Sequence, residues 1–201
     1  LAMKLRGLRI HNFRSIIDAD IEVHDYTMIV GANNAGKSNL LAALRAFYED
    51  IKWSNEDFPK TASADEEAWV ELTYELTDIE WGGLAEKYKN GAEGQFLTVR
   101  RYFASKDRVK SNQSNIYGVL AGEPEKDLFY GAKNVGTAKV GRLIYIPALT
   151  TAADQMKTTG PSPLRDMLNF MLKRVVSDSA AYKEVESAFG KLNEEARGAD
   201  G

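Results

Sequence analysis

The chain has 201 residues, 44% hydrophobic and 27% charged, with a formal net charge of −3 and no cysteine. That length supports one core, or one domain with an appendage, while the near-neutral charge excludes a global nucleic-acid signature and the absent cysteine excludes both a disulfide framework and a thiolate metal site. No apolar run approaches the roughly 18 residues needed to span a bilayer and no signal-peptide pattern opens the chain, so a cytoplasmic protein away from membranes is expected.

Met3, behind Leu1-Ala2, reads as a natural start preceded by a two-residue remnant. From Met3 to Phe13 apolar residues alternate at Leu8 and Ile10 and return at Phe13, and Ile17, Ala19, Ile21 and Val23 alternate in the next run. A period of two over both runs predicts two half-buried strands joined near Arg14-Ser15. Tyr26 to Val30 is an apolar run of strand type. It leads into Gly31-Ala32-Asn33-Asn34-Ala35-Gly36-Lys37-Ser38, which fits the phosphate-binding pattern G-x-x-x-x-G-K-[ST].

An apolar-rich helical pattern leaves that loop through Leu40, Leu41, Leu44 and Phe47, so strand, glycine loop and helix follow in the order the motif requires. Successive N–H groups at a helix start form a concave anion site, and the helix dipole adds partial positive charge. The pattern assigns Lys37 to the β- and γ-phosphates and the Ser38 hydroxyl to a Mg²⁺ ion. Gly31 and Gly36 are expected where the backbone turns sharply or nears phosphate oxygens. An ordinary Gly-rich turn between strand and helix is the alternative.

Tyr48 to Asp65 is polar and broken by Pro59, with Trp53, Asp57 and Phe58 embedded, which reads as a loop over the phosphate site. Trp69 to Leu76 alternates as a strand, Ile79 to Asn90 fits a short helix, and Gln95 to Ala104 and Ile116 to Leu120 read as further strands. The middle third is therefore expected to be mainly antiparallel β. Its basic residues, Arg100-Arg101 and Lys106 to Lys110, fit a DNA-facing patch or, as the better-supported reading, a solvated edge guarded by charge. Glu123 to Gly141 has no clear period and reads as loop, and Leu143 to Ile146 reads as a central strand ending at Pro147. Ser162 opens a predicted helix with Pro163 in its first turn, and a second is predicted from Ala180 to about Arg197.

The run Leu8-Arg9-Ile10-His11-Asn12-Phe13-Arg14-Ser15, followed by Ile29 to Leu44, resembles the amino-terminal lobe of ABC-type ATPases of the RecF and SMC group, and most closely the OLD (overcoming lysogenization defect) family. The resemblance implies an α/β P-loop fold with an antiparallel β subdomain over 1–160 and a helical or dimerisation segment over 161–201. It implies ATP and Mg²⁺ as cofactors, DNA as a partner, a homodimer when complete, and a role in DNA repair or phage defence, with an endonuclease in the full-length family members. By resemblance the binding set takes in Arg14 and Ser15 beside Asn33, Asn34, Ala35, Gly36, Lys37, Ser38 and Asn39. A solvated turn arginine is the other reading of Arg14. Many ABC loops carry Gly where Asn34 stands, and Asn tolerates positive φ, so the turn is expected to survive. Asn33 and Asn34 fit contacts to phosphate or water as well as a local Asx turn. Gln155 is the candidate for the metal-sensing glutamine, at a spacing that departs from the usual one.

An ABC ATPase also needs an apolar strand ending in Asp-Glu, a signature loop of LSGGQ type and a switch histidine. The sequence contains none of them, nor an acidic cluster of the Toprim nuclease type. The expectation is thus the front half of an ATPase head, which binds ATP, turns it over at a rate near background, and requires a missing carboxy-terminal half. The rivals are a self-sufficient P-loop kinase or nucleotide switch, for which no Asn-Lys-x-Asp base-reading run is present, and a non-hydrolysing ATP-dependent dimer clamp.

Overall fold

The computed structural model describes residues 3–61, 65–89, 94–133, 135–138, 140–146, 164–165 and 167–169. The chain divides into two compact units, Leu1–Leu143 and Ile144–Gly201. In the first, β1 (Lys4–Phe13) and β2 (Ile16–Glu22) are followed by α1 (Lys37–Phe47), β3 (Ala68–Glu75), α2 (Asp78–Gly83), β4 (Phe96–Ala104), β5 (Ile116–Leu120), β6 (Glu123–Leu128) and the short α3 (Val135–Ala138). The six strands form one sheet of order β2-β1-β3-β4-β5-β6, antiparallel throughout.

Alternation fixes which face each side chain takes. Leu8 pairs with Ile21 and Leu72, Ile10 with Ala19 and Val70, and Leu72 with Val99, which sets one apolar layer across the sheet. α1 covers that layer with Ala42, Ala43, Ala46 and Phe47, all buried. Three alanines on one helical face let the helix backbone come close to the sheet, and Phe47 fills the space between them. The opposite face puts Glu71 between Arg9 and Arg100 and stacks the His11 ring on Trp69 at 5.2 Å between centroids.

Several expectations need correction. Tyr26 to Val30 is not a strand: the run lies outside regular structure, with Tyr26 78% and Val30 77% exposed. Leu143 to Ile146 is likewise irregular, and Ile146 is exposed. A continuous apolar run becomes a central strand only where strands flank it on both sides, and no described strand pairs with either run. Residues 123–128, expected as loop, form the edge strand β6. The predicted helix of 79–90 is two pieces, α2 and a 3-10 turn Glu86–Tyr88. Arg100 and Arg101 are neither a DNA-facing patch nor a solvated edge: Arg100 pairs with the buried Glu71, and Arg101 reaches the end of α1.

In the second unit, residues 164–165 and 167–169 are helical. The predicted helix from Ala180, Pro147 to Thr151 and Gln155 lie outside the described residues.

Candidate nucleotide site

The Gly31–Ser38 loop enters α1 through Gly36, which holds φ 86° at the N-cap. This left-handed conformation is costly for any side chain with a Cβ, so glycine is required at this position. Asn34 also stands at positive φ, 66°, as the tolerance of Asn for that region predicts. Gly31 has no such need: a Cβ there would meet Ala35 at 3.6 Å, an ordinary contact.

The Lys37 side chain folds back over its own loop, its ammonium donating to the carbonyl oxygens of Gly31 at 2.7 Å and Ala32 at 2.6 Å. That curl places a cation across the mouth of the loop. The N–H groups of Gly36, Lys37 and Ser38 have no acceptor among the described residues, as expected for the first turn of a helix. Unpaired N–H donors, a helix N-terminus and an ammonium make a donor set complementary to phosphate oxygens. The exposed Ser38 hydroxyl stands one residue on. Among the described residues no group of three His, Asp or Glu side chains could hold a metal ion. A Mg²⁺ that takes its ligands from Ser38, phosphate oxygens and water fits this set, because Mg²⁺ bound with nucleotide needs no protein cage.

The β1–β2 turn lies against this loop. Ser15 Oγ accepts from Asn39 Nδ2 at 2.8 Å, and a Cβ on Gly36 would sit 3.6 Å from the same oxygen. Ser15 and Asn39 are thus in contact, one on the turn and one in the first turn of α1. Arg14 holds φ 55° and is tied to a 3-10 turn, Asn55–Asp57. Its Nε donates to Asp57 Oδ1 at 2.7 Å and its backbone N–H donates to the Asp57 carbonyl. The guanidinium also lies over the Phe13 ring at 5.4 Å.

Two residues held against the turn and against α1 have roles that the sequence did not show. Asp57 was visible only as one acid in a polar loop. Arg101 sits at the far end of α1, where it donates to the carbonyls of Ala46 and Phe47 and pairs with Glu49. Asn33 and Ala35 lie on the exposed crest of the loop, where the Ala35 N–H closes a turn onto the Ala32 carbonyl.

A family model described as an AAA ATPase domain matches residues 3–135, more than half of the chain, and the chain belongs to that family. Among solved structures it is similar to the recombination mediator protein RecF with ATP in the RecFOR pathway, at 18% identity and a TM-score of 0.41, covering 85% of this chain and 39% of that one. A second structure of that mediator, RecF-ATPrS, gives 18% identity and 0.41, covering 83% and 37%. The chain therefore spans less than two-fifths of the length of these RecF chains. No curated protein sequence matches it. Among the described residues no helix is long and apolar enough to cross a membrane.

Proposed function

We propose that the chain is the ATP-binding amino-terminal portion of an OLD-like or RecF-like ABC-type ATPase. In this reading Lys37 holds the β- and γ-phosphates, the loop N–H groups cradle them, Ser38 ligates Mg²⁺, and Arg14 and Ser15 border the nucleotide. ATP-driven pairing of two such heads is coupled to DNA binding or cleavage, in repair or phage defence. The observation that carries the reading is the Lys37 ammonium on the carbonyls of Gly31 and Ala32, beside the unpaired N–H groups at the start of α1.

The exposed Tyr26, Met28 and Val30 support a partner for this segment. A carboxy-terminal half of the ATPase head, supplying flanking strands, the acidic strand end and the signature loop, is the partner we assign. Without those groups turnover is slow, since a general base is worth about 10²- to 10⁴-fold and a group donated in trans about 10³- to 10⁵-fold. Steady-state phosphate release, measured over a wide range of protein concentration, tests this. The 201-residue chain should hydrolyse ATP near background, and a co-expressed carboxy-terminal fragment should raise the rate and make it depend on concentration. Fast turnover by the chain alone, lost in Lys37→Ala, would mean an intact enzyme.

A further inference from the structure

We propose that Asp57 is a positioning residue for Arg14, locking the arginine of the β1–β2 turn so that its terminal nitrogens are held ready for the nucleotide. This rests on the reading that Arg14 borders the bound triphosphate.

Asp57 is buried, at 8% exposure, in a loop otherwise rich in exposed polar residues. Each of its polar groups is engaged. Oδ1 takes Arg14 Nε, Oδ2 takes the Ser54 N–H at 2.9 Å, its own N–H returns to the Ser54 carbonyl at 2.9 Å, and its carbonyl takes the Arg14 N–H. One acid therefore fixes both the backbone and the side chain of Arg14, a residue in the left-handed region that no glycine relieves. Such a conformation persists only where the surroundings over-determine it.

The geometry leaves a chemical opening. Asp57 occupies only the Nε edge of the guanidinium, and the two terminal nitrogens have no hydrogen-bond partner among the described residues. The Arg14 side chain is 39% exposed and the Asp57 side chain 12%, so the carboxylate lies inward of the cation. A planar guanidinium with one edge held and its end open can meet an anionic oxygen with two parallel N–H donors. The neighbouring Ser15 touches Asn39 in the first turn of α1 and lies beside Gly36. Arg14 and Ser15 thus tie the Asn55–Asp57 turn and the phosphate loop to adjacent residues of one turn. Loss of Asp57 releases an arginine whose many rotamers must then be ordered by the ligand itself.

The test is a double-mutant cycle read by calorimetric titration of ATP with Mg²⁺ into the wild type, Asp57→Asn, Arg14→Ala and the double variant. Asn keeps an oxygen for the Ser54 N–H, and circular dichroism establishes that each variant is folded. Arg14→Ala should weaken binding about tenfold to a hundredfold, the range for a lost charge-assisted hydrogen bond. Asp57→Asn should weaken it severalfold alone and have no further effect when Arg14 is already Ala. Additive losses, or an Asp57→Asn variant that binds as the wild type does while Arg14→Ala does not, would overturn the positioning role and leave the Arg14 contact standing. Unchanged affinity in Arg14→Ala would remove the contact, and the inference with it.

Discussion

Arg101 Nη1 lies 2.6 Å from the carbonyl oxygen of Phe47, so a strand in the middle of the sheet holds the end of the helix whose other end is the phosphate loop. The same nitrogen reaches the Ala46 carbonyl at 3.2 Å, and Nη2 pairs with Glu49 at 2.9 Å. The last carbonyls of a helix have no partners within it, and a cation there also meets the negative end of the dipole. Burial pulls the Arg101 pKa below its ordinary value, with Glu49 opposing. The guanidinium nonetheless serves as the cap of α1.

Arg101→Ala should therefore destabilise the domain by about 1–3 kcal/mol, the cost of leaving the Phe47 carbonyl unsatisfied, while the Ala46 carbonyl keeps the Glu49 N–H. Urea unfolding with unchanged slope and a lower midpoint is the expected result. A midpoint equal to the wild type would show that the helix end satisfies itself.

Gly118→Ala should be costly for a reason of space. A Cβ at this position would lie 2.7 Å from Tyr88 Cε1. That ring cannot step aside easily: it is 2% exposed, packs on Phe129 and Tyr130 with centroids at 4.7 and 5.1 Å, and its hydroxyl accepts the Tyr130 N–H. Overpacking of this kind costs about 1–3 kcal/mol, readable as a lower thermal midpoint. A variant as stable as the wild type would mean that the Tyr88 ring moves freely.

His11 should make stability fall as pH rises from its ordinary value of 6.5 through the raised folded-state value. Desolvation lowers its pKa, but hydrogen bonds to Asp18 at 2.7 Å and Asp65 at 3.1 Å outweigh that and raise it above the ordinary value of 6.5. A raised folded-state pKa contributes stability that is complete below the unfolded value and is lost as pH rises through the folded one. Asp65 is depressed: burial raises its pKa, yet His11, the Glu67 N–H and Asn12 together lower it further. Its contribution is complete above the unfolded carboxylate value and is lost as pH falls through the folded one. Denaturant midpoints measured from pH 6 to 8 should decline in the wild type and stay level in His11→Gln. Parallel declines would place the titrating group elsewhere.

Much of the sheet was legible because its strands are short apolar-rich runs, with alternation of period two along parts of β1 and β2. β1, β3, β4 and β5 begin and end within a residue or two of their expected limits, and α1 starts at Lys37, where the loop pattern puts it. β6 was not legible because Pro124 and its charges are the marks of an edge strand, and these also read as loop. Arg100 was misread because its partner Glu71 lies 29 residues away and meets it only through the β3–β4 register. The turn residues Arg14 and Ser15 were legible only through resemblance. Asp57, which holds Arg14, could not be found without the fold, since one acid among several in a polar loop carries no periodic signal. Tyr26 to Val30 failed as a strand because an apolar run records what a segment can bury and not whether neighbours are there to bury it.

Titration of ATP with Mg²⁺ into the wild type and Lys37→Ala tests the central claim most directly. Lys37 is half-buried on the loop and its only side-chain hydrogen bonds among the described residues are to the carbonyls of Gly31 and Ala32. Its loss should leave the thermal midpoint nearly unchanged. The account predicts saturable binding by the wild type and an affinity about tenfold to a hundredfold weaker in Lys37→Ala, as for a lost charge-assisted contact to phosphate. Equal affinity in the two proteins, or no binding by a folded wild type, would contradict it.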